Sequence, residues 1–249
     1  KCDWIKDKQA LGIWKEVKVY DGIDLEQWLE ISLPTSKWFA SKINKYPSSG
    51  FLLLEEYWEE WSTGPNGLKL SPELVIAGRK MEASLLMDTF KETGNVHAIR
   101  ASTRSEAIAF IAAVAKLLNE SDSERFLSKT IVIDNMDNFR MISNNNIDSL
   151  NLIADFDDMG VIHYAASKGH QILIPLNPED DINKDAIALP TLDREGLIDA
   201  LVAIGKTEDQ ARKYSIESGR NITILKKLLG FIDCKSDWYE KKNIHEILP

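Results

Sequence analysis

From residue 96 to residue 189, short apolar runs alternate with stretches of helical spacing. No other feature of the chain constrains the fold as much. Residues 96–101, 130–134, 150–154, 171–175 and 186–189 read as strands. Residues 105–119, the region around 138–141 and residues 158–168 read as helices between them, the first of them long and amphipathic. Strands that are apolar throughout need cover on both faces, and strands separated by helices can run parallel. The expected fold is therefore α/β, a mostly parallel sheet with helices on both faces.

The flanks read as helical. Asp193 stands before REGLIDALVAIG and Thr207 before EDQARKYSIESG, each in a capping position, with Glu208, Asp209 and Gln210 in the first turn of the second helix. Gly205 and Gly219 end these two helices, and residues 221–229 form a third. Residues 191–232 are thus expected as a small helical lid on an α/β domain spanning 72–190, with 233–249 a tail or the start of a further element. Within that domain Gly78-Arg79 leads into an amphipathic helix, residues 80–90. Residues 1–65 read as a mainly helical segment: a strand candidate at 16–20, the turn Asp21-Gly22, a helix LEQWLE capped by Asp24, the short helix TSKWFASKI, and FLLLEEYWEEWS. Gly64-Pro65-Asn66-Gly67 reads as a loop between domains. Tryptophans at 4, 14, 28, 38, 58 and 61 would suit an aromatic nucleic-acid platform, but their helical spacing among acidic neighbours favours packing.

Composition narrows the class. The 249 residues carry 44% hydrophobic and 28% charged side chains, enough for a sizeable core. A net charge of -9 argues against a surface that coats nucleic acid broadly. Cys2 and Cys234 allow at most one bridge, and His97, His163, His170 and His245 show no metal-ligand spacing. No apolar run is long enough to cross a bilayer, no signal peptide is expected, and reducing cytoplasm is the expected compartment. The chain opens without a methionine and reads as a segment of something longer.

The junction Ala101-Ser102-Thr103-Arg104-Ser105, between a strand and a long helix, is where chemistry is expected. Phosphate binding needs free N–H groups at a helix start, glycines that let the loop curl, a lysine, and a hydroxyl for magnesium. Here the helix start and three hydroxyls (Ser102, Thr103, Ser105) are kept, Arg104 supplies charge, and glycine and lysine are absent. Hydrolysis would further need a carboxylate after a strand. IVIDNMD offers Asp134 and Asp137; LIADFDD offers Asp155, Asp157 and Asp158, of which Asp157 and Asp158 are the candidate magnesium ligands. Asp158 also suits a helix cap. Arg79 is a candidate for an adenine pocket and Arg220 for a phosphate contact from the lid. His163 is expected to pack or lie at the surface, and His170 to pack or cap, rather than catalyse.

Taken together, the order of these segments resembles the nucleotide-binding module of the AAA+/STAND class of P-loop NTPases over residues 73–230. GRKMEASLLMDTF resembles the lead-in to the first core strand, VHAIRA that strand, and ASTRSE stands at the Walker A position. LIADFDD falls where Walker B is expected, ILIPL resembles the sensor-bearing strand, and SGRNITILKKLL resembles a later lid helix. The departure at Walker A implies a degenerate, non-hydrolysing member. VKVYDGIDLEQWLE is similar to the end of an Mrr-type restriction-endonuclease-like domain, whose catalytic residues would lie upstream of Lys1.

The resemblance implies a non-catalytic NTPase-like scaffold, oligomerisation or sensor module of a larger bacterial protein of the restriction or anti-phage defence kind. Its partners would be other domains of that protein, a second copy of the chain, or nucleic acid reached through the full-length protein, and it would need no cofactor. Two alternatives stand beside it: a divergent ATPase using ATP and magnesium through Arg104, Asp157 and Asp158, and a nucleic-acid-binding module.

Overall fold

The structure is a computed structural model that describes residues 2–13, 17–31, 36, 39, 43, 50–145, 149–181 and 185–231. The chain divides into two compact units, Lys1–Ser48 and Ser49–Pro249.

The first unit contains α1 (Cys2–Ala10) and α2 (Gly22–Ile31). Asp21, not Asp24, opens α2: its Oδ1 accepts from the N–H groups of Ile23 and Asp24, both at 3.1 Å. Asp24 answers by accepting from Asp21 N at 2.8 Å. Residues 17–20, expected to end a strand, carry no regular structure. The helix expected at TSKWFASKI lies largely outside the described residues, as do Trp14, Trp38 and the expected tail from 233 onward.

The second unit is built on a six-stranded sheet in the order β1-β3-β4-β5-β2-β6. Its strands are β1 (Phe51–Leu53), β2 (Val96–Arg100), β3 (Thr130–Ile133), β4 (Asn151–Ala154), β5 (Gln171–Leu176) and β6 (Ile187–Ala188). Neighbours pair in parallel except β1, which runs antiparallel to β3. Every residue of β3 and β5 is buried, as parallel strands covered on both faces require. β2 comes first among the parallel strands in sequence, yet it lies between the last two. The register tightens the consequence: β6 pairs only with Ile99 and Arg100, the final residues of β2. The described residues that follow β5, 177–181, therefore lie at the carboxyl end of the sheet, against Arg100 at the end of β2.

Helix α3 (Leu54–Ser62) follows β1, so FLLLEEYWEEWS is a strand running straight into a helix. Trp58 and Trp61 are buried in the core, whereas Trp4 in the first unit is 53% exposed. The unit boundary at 48/49 therefore places these residues with the sheet instead of in a segment ending at 65. Gly64-Pro65-Asn66-Gly67 is a tight turn inside this unit: Gly64 N donates to Leu68 O at 2.7 Å, and Leu70 N to Ser62 O at 2.8 Å. After it come α4 (Pro72–Ile76) and α5 (Lys80–Thr89).

Helix α6 (Arg104–Lys116) runs through the middle of the core. Each residue from Glu106 to Ala115 is buried, because α3, α4, α5 and α7 (Glu120–Lys129) surround it as well as the sheet. Its sequence AIAFIAAVA suits burial on every side, so the amphipathic helix expected here is instead buried all round. Helix α7 is capped by Asn119, and its polar sequence gives only Phe126 and Leu127 to the core. Then follow α8 (Met136–Asn145), α9 (Met159–Ser167) and the C-terminal helices α10 (Arg194–Ala203), α11 (Glu208–Glu217) and α12 (Ile222–Leu228). Asp193, Thr207 and Asn221 cap the last three. Leu197, Leu201, Ile222 and Leu225 join the same core as Phe110, Ile153 and Leu173.

His170 is buried at the start of β5, where its Nδ1 accepts from Leu150 N at 3.1 Å and its Nε2 donates to Ser143 O at 3.0 Å. Burial holds the imidazole below its ordinary value of 6.5, so the folded state resists the proton that the unfolded chain takes up. Above 6.5 neither state is protonated and nothing is lost; below it the unfolded state binds more protons and stability falls. Urea unfolding at pH 7.5 and 5.5 should show a loss that is smaller in His170→Gln, which does not titrate.

Candidate functional site

The carboxyl ends of β2, β4 and β5 meet around the first turn of α6, the side of a parallel sheet on which ligands bind. What this turn can do depends on its N–H groups, which have no partner inside the helix. Thr103 caps it: its hydroxyl accepts from Glu106 N at 3.1 Å and its carbonyl from Ala107 N at 3.1 Å. Arg104 N donates to Asn177 Oδ1 at 3.1 Å. Ser102 N donates to Glu106 Oε2 at 3.2 Å, and the Ser102 hydroxyl donates to the same oxygen. A carboxylate of the chain itself thus sits where the helix start would receive an anion.

Glu106 is held from its other side by Arg79, and both side chains are almost wholly buried, at 3% and 2% exposure. Arg79 Nη2 lies 2.6 Å from Glu106 Oε1, Nε donates to Pro190 O at 2.8 Å, and Nη1 donates to Val75 O at 3.3 Å. Arg79 was a candidate for an adenine pocket. Its guanidinium is instead spent on α4, α6 and the approach to α10. Ser105, the hydroxyl that would reach a metal, accepts from Tyr57 Oη and Trp61 Nε1, each at 3.0 Å. The aromatic pair on α3 thus occupies its oxygen.

Arg104 faces the acidic residues that follow β4 and β5. Its Nη2 pairs with Asp157 and lies 3.0 Å from Asp180, and its Nη1 is 3.9 Å from Asp155. Arg100 pins the strap after β5 by donating through Nη1 to the carbonyls of Asn177, Pro178 and Asp180, at 3.0, 3.2 and 2.6 Å. The N–H of Asn177, and after it the Arg104 guanidinium, hold the Asp180 carboxyl below its ordinary range against the opposing effect of burial. Asp180 therefore stays ionised at neutral pH, as its pairing with Arg104 requires. Asp158, the second candidate metal ligand, caps α9 by accepting from Val161 N at 3.1 Å, with Arg140 4.0 Å away. Among the described residues no three potential ligands are grouped to hold a metal ion.

The structure thus gathers Arg79, Ser102, Thr103, Arg104, Ser105 and Asp157 around one helix start and leaves Asp158 at its own helix. Arg220 acts through its backbone. It adopts φ 62° between α11 and α12, its N–H donates to Ser218 Oγ at 3.2 Å, and its carbonyl accepts from Leu192 N at 3.1 Å. Its guanidinium makes no ion pair among the described residues. Sequence reading missed Glu106, Asn177 and Asp180. Thr103-x-x-Glu106 is a capping-box spacing and was the available signal for the first; the turn residues Asn177-Pro178-Glu179-Asp180 offered a weaker one.

The described carboxylates around the turn (Asp155, Asp157, Asp180, Glu106) outnumber the guanidiniums of Arg79, Arg100 and Arg104, and each guanidinium already has acceptors within the chain. Comparison with protein-family models, with curated proteins and with solved structures gave no match.

Removing one partner of the buried pair leaves the other charged and unpaired. Glu106→Ala should cost roughly 3–5 kcal/mol in urea unfolding, and the double change Arg79→Met with Glu106→Leu much less. Arg220→Gly should match the wild type or exceed it by up to about 1 kcal/mol, since only the left-handed backbone is used there; a marked loss would show that the guanidinium matters.

Proposed function

We propose that the larger unit is a non-catalytic NTPase-like module, a scaffold or sensor in a longer bacterial protein. One observation carries this reading: at the start of α6 the N–H groups of Ser102, Arg104 and Glu106 donate to Glu106, Asn177 and Thr103 of the same chain, and the Arg104 guanidinium is held by Asp157 and Asp180. A helix start in that condition lacks the nest of several open N–H groups and the uncommitted cation that phosphate recognition needs.

The NTPase-like part of the proposal is supported by position. LIADFDD, which resembles a Walker B segment, delivers Asp155 and Asp157 to the junction that stands for Walker A. ILIPL, which resembles the sensor strand, pairs with β2 along its length. The restriction or anti-phage setting rests on the Mrr-type resemblance of VKVYDGIDLEQWLE alone. Fold likeness by itself assigns no chemistry, and none is claimed for this unit.

Calorimetric titration with ATP and with ADP, each with magnesium, tests the proposal. No heat of binding is expected up to about 1 mM nucleotide, equivalent to a binding free energy weaker than about 4 kcal/mol. Saturable binding that disappears in Arg104→Ala or Asp157→Ala would replace it with the divergent-ATPase reading.

A further inference from the structure

The segment from 189 to 193 leads from β6 into the C-terminal helices and is fastened at nearly every step to a different part of the unit. Leu189 N donates to Arg100 O at 2.8 Å, Leu192 N to Arg220 O at 3.1 Å, and Asp193 N to Ala77 O at 3.0 Å. Pro190 contributes only its carbonyl, and Arg79 Nε takes it at 2.8 Å. Gly78 adopts φ 76°, and a Cβ there would stand 2.5 Å from Asp193 Cβ, so the backbone of the α4–α5 joint closes directly on the start of α10. Seen from Arg79, the contacts run on without a gap. The guanidinium meets Glu106, and Glu106 meets the N–H and hydroxyl of Ser102.

Among the described residues this is the one ion pair with both side chains more than nine-tenths buried. Burying two charges is a poor way to gain stability, because apolar side chains of the same volume do as well or better. Directional contacts are what the pair supplies: a single guanidinium fixes α4, α6 and the 189–193 joint at once.

We propose that the Arg79–Glu106 pair is a mechanical link that couples the loop at the start of α6 to the attachment of the C-terminal helices. Whatever draws Glu106 toward or away from Ser102 changes the hold on Pro190. The loop at 101–103 is then the input of the link, and the 189–193 joint with α10 is its output. This inference does not depend on whether the unit is NTPase-like or binds any nucleotide.

Coupling is shown by a perturbation at one end that is read at the other. Ser102 is exposed and its hydrogen bonds go to Glu106, none of them to 189–193 among the described residues, so Ser102→Ala should fold and alters the input. Hydrogen exchange of the full chain is the readout, with the hydrogen-bonded amides of Leu189, Leu192 and Asp193 as reporters. In Ser102→Ala and in Glu106→Gln these amides should exchange at least about fivefold faster, the lower end of ordinary coupling between sites. Amides of β3 and β4 should be unchanged. Arg212→Ala, which removes an exposed pair within α11, should leave the reporters unchanged. Faster exchange confined to 101–106 in Ser102→Ala would overturn the proposal. So would a rise of equal size at all amides in both variants, which would mean that the pair only supports the core.

Discussion

The carboxyl end of the sheet depends on how one buried helix disposes of its first N–H groups. Helix α6 is surrounded from Glu106 to Ala115, and ahead of that stretch Ser102 is exposed while Thr103, Arg104 and Ser105 are half-buried, so the start draws most of its partners from the chain. Glu106 supplies the answer from within the helix by reaching back to Ser102. That places a carboxylate in the core, and a buried carboxylate demands a cation, which is Arg79. Arg79 in turn has donors left over and finds the carbonyls of Val75 and Pro190. One unsatisfied helix end thus fixes the positions of α4, the strap into α10 and the loop after β2.

The outer face of the same turn is governed by charge instead of burial. Arg104 sits among carboxylates from two successive strand ends, and Arg100 gathers the carbonyls of the strap after β5. The strap, residues 177–181, lies there against Arg100 at the end of β2. Topology brings the acidic residues over the helix start, and electrostatics holds them.

Tyr57 and Trp61 show how far the arrangement reaches. Both donate to Ser105 from α3, a helix that follows the antiparallel edge strand β1. Lys226 on α12 lies 3.9 Å from the Trp61 ring centroid and donates to its carbonyl at 2.8 Å. The amino-terminal aromatic residues of this unit are therefore framework around α6, in keeping with their helical spacing, and Trp58 and Trp61 present no stacking platform to solvent.

The sequence by itself determined what periodicity and local chemistry encode. Alternating apolar runs set the α/β class, and Asp158, Asp193, Thr207 and Asn221 marked helix starts through contacts two or three residues away. Local reading failed where a partner lies far along the chain. FLL read as helix because its strand pairing is with β3, about eighty residues on. Arg79 and Arg104 read as free cations because their carboxylates, Glu106 and Asp180, come 27 and 76 residues later. Spacing shows that a residue can carry charge or cap a helix. Whether that capacity is left for a ligand or consumed by the chain is decided only when the sheet order brings strand ends together, since a buried polar group must take whatever partner the fold places within reach.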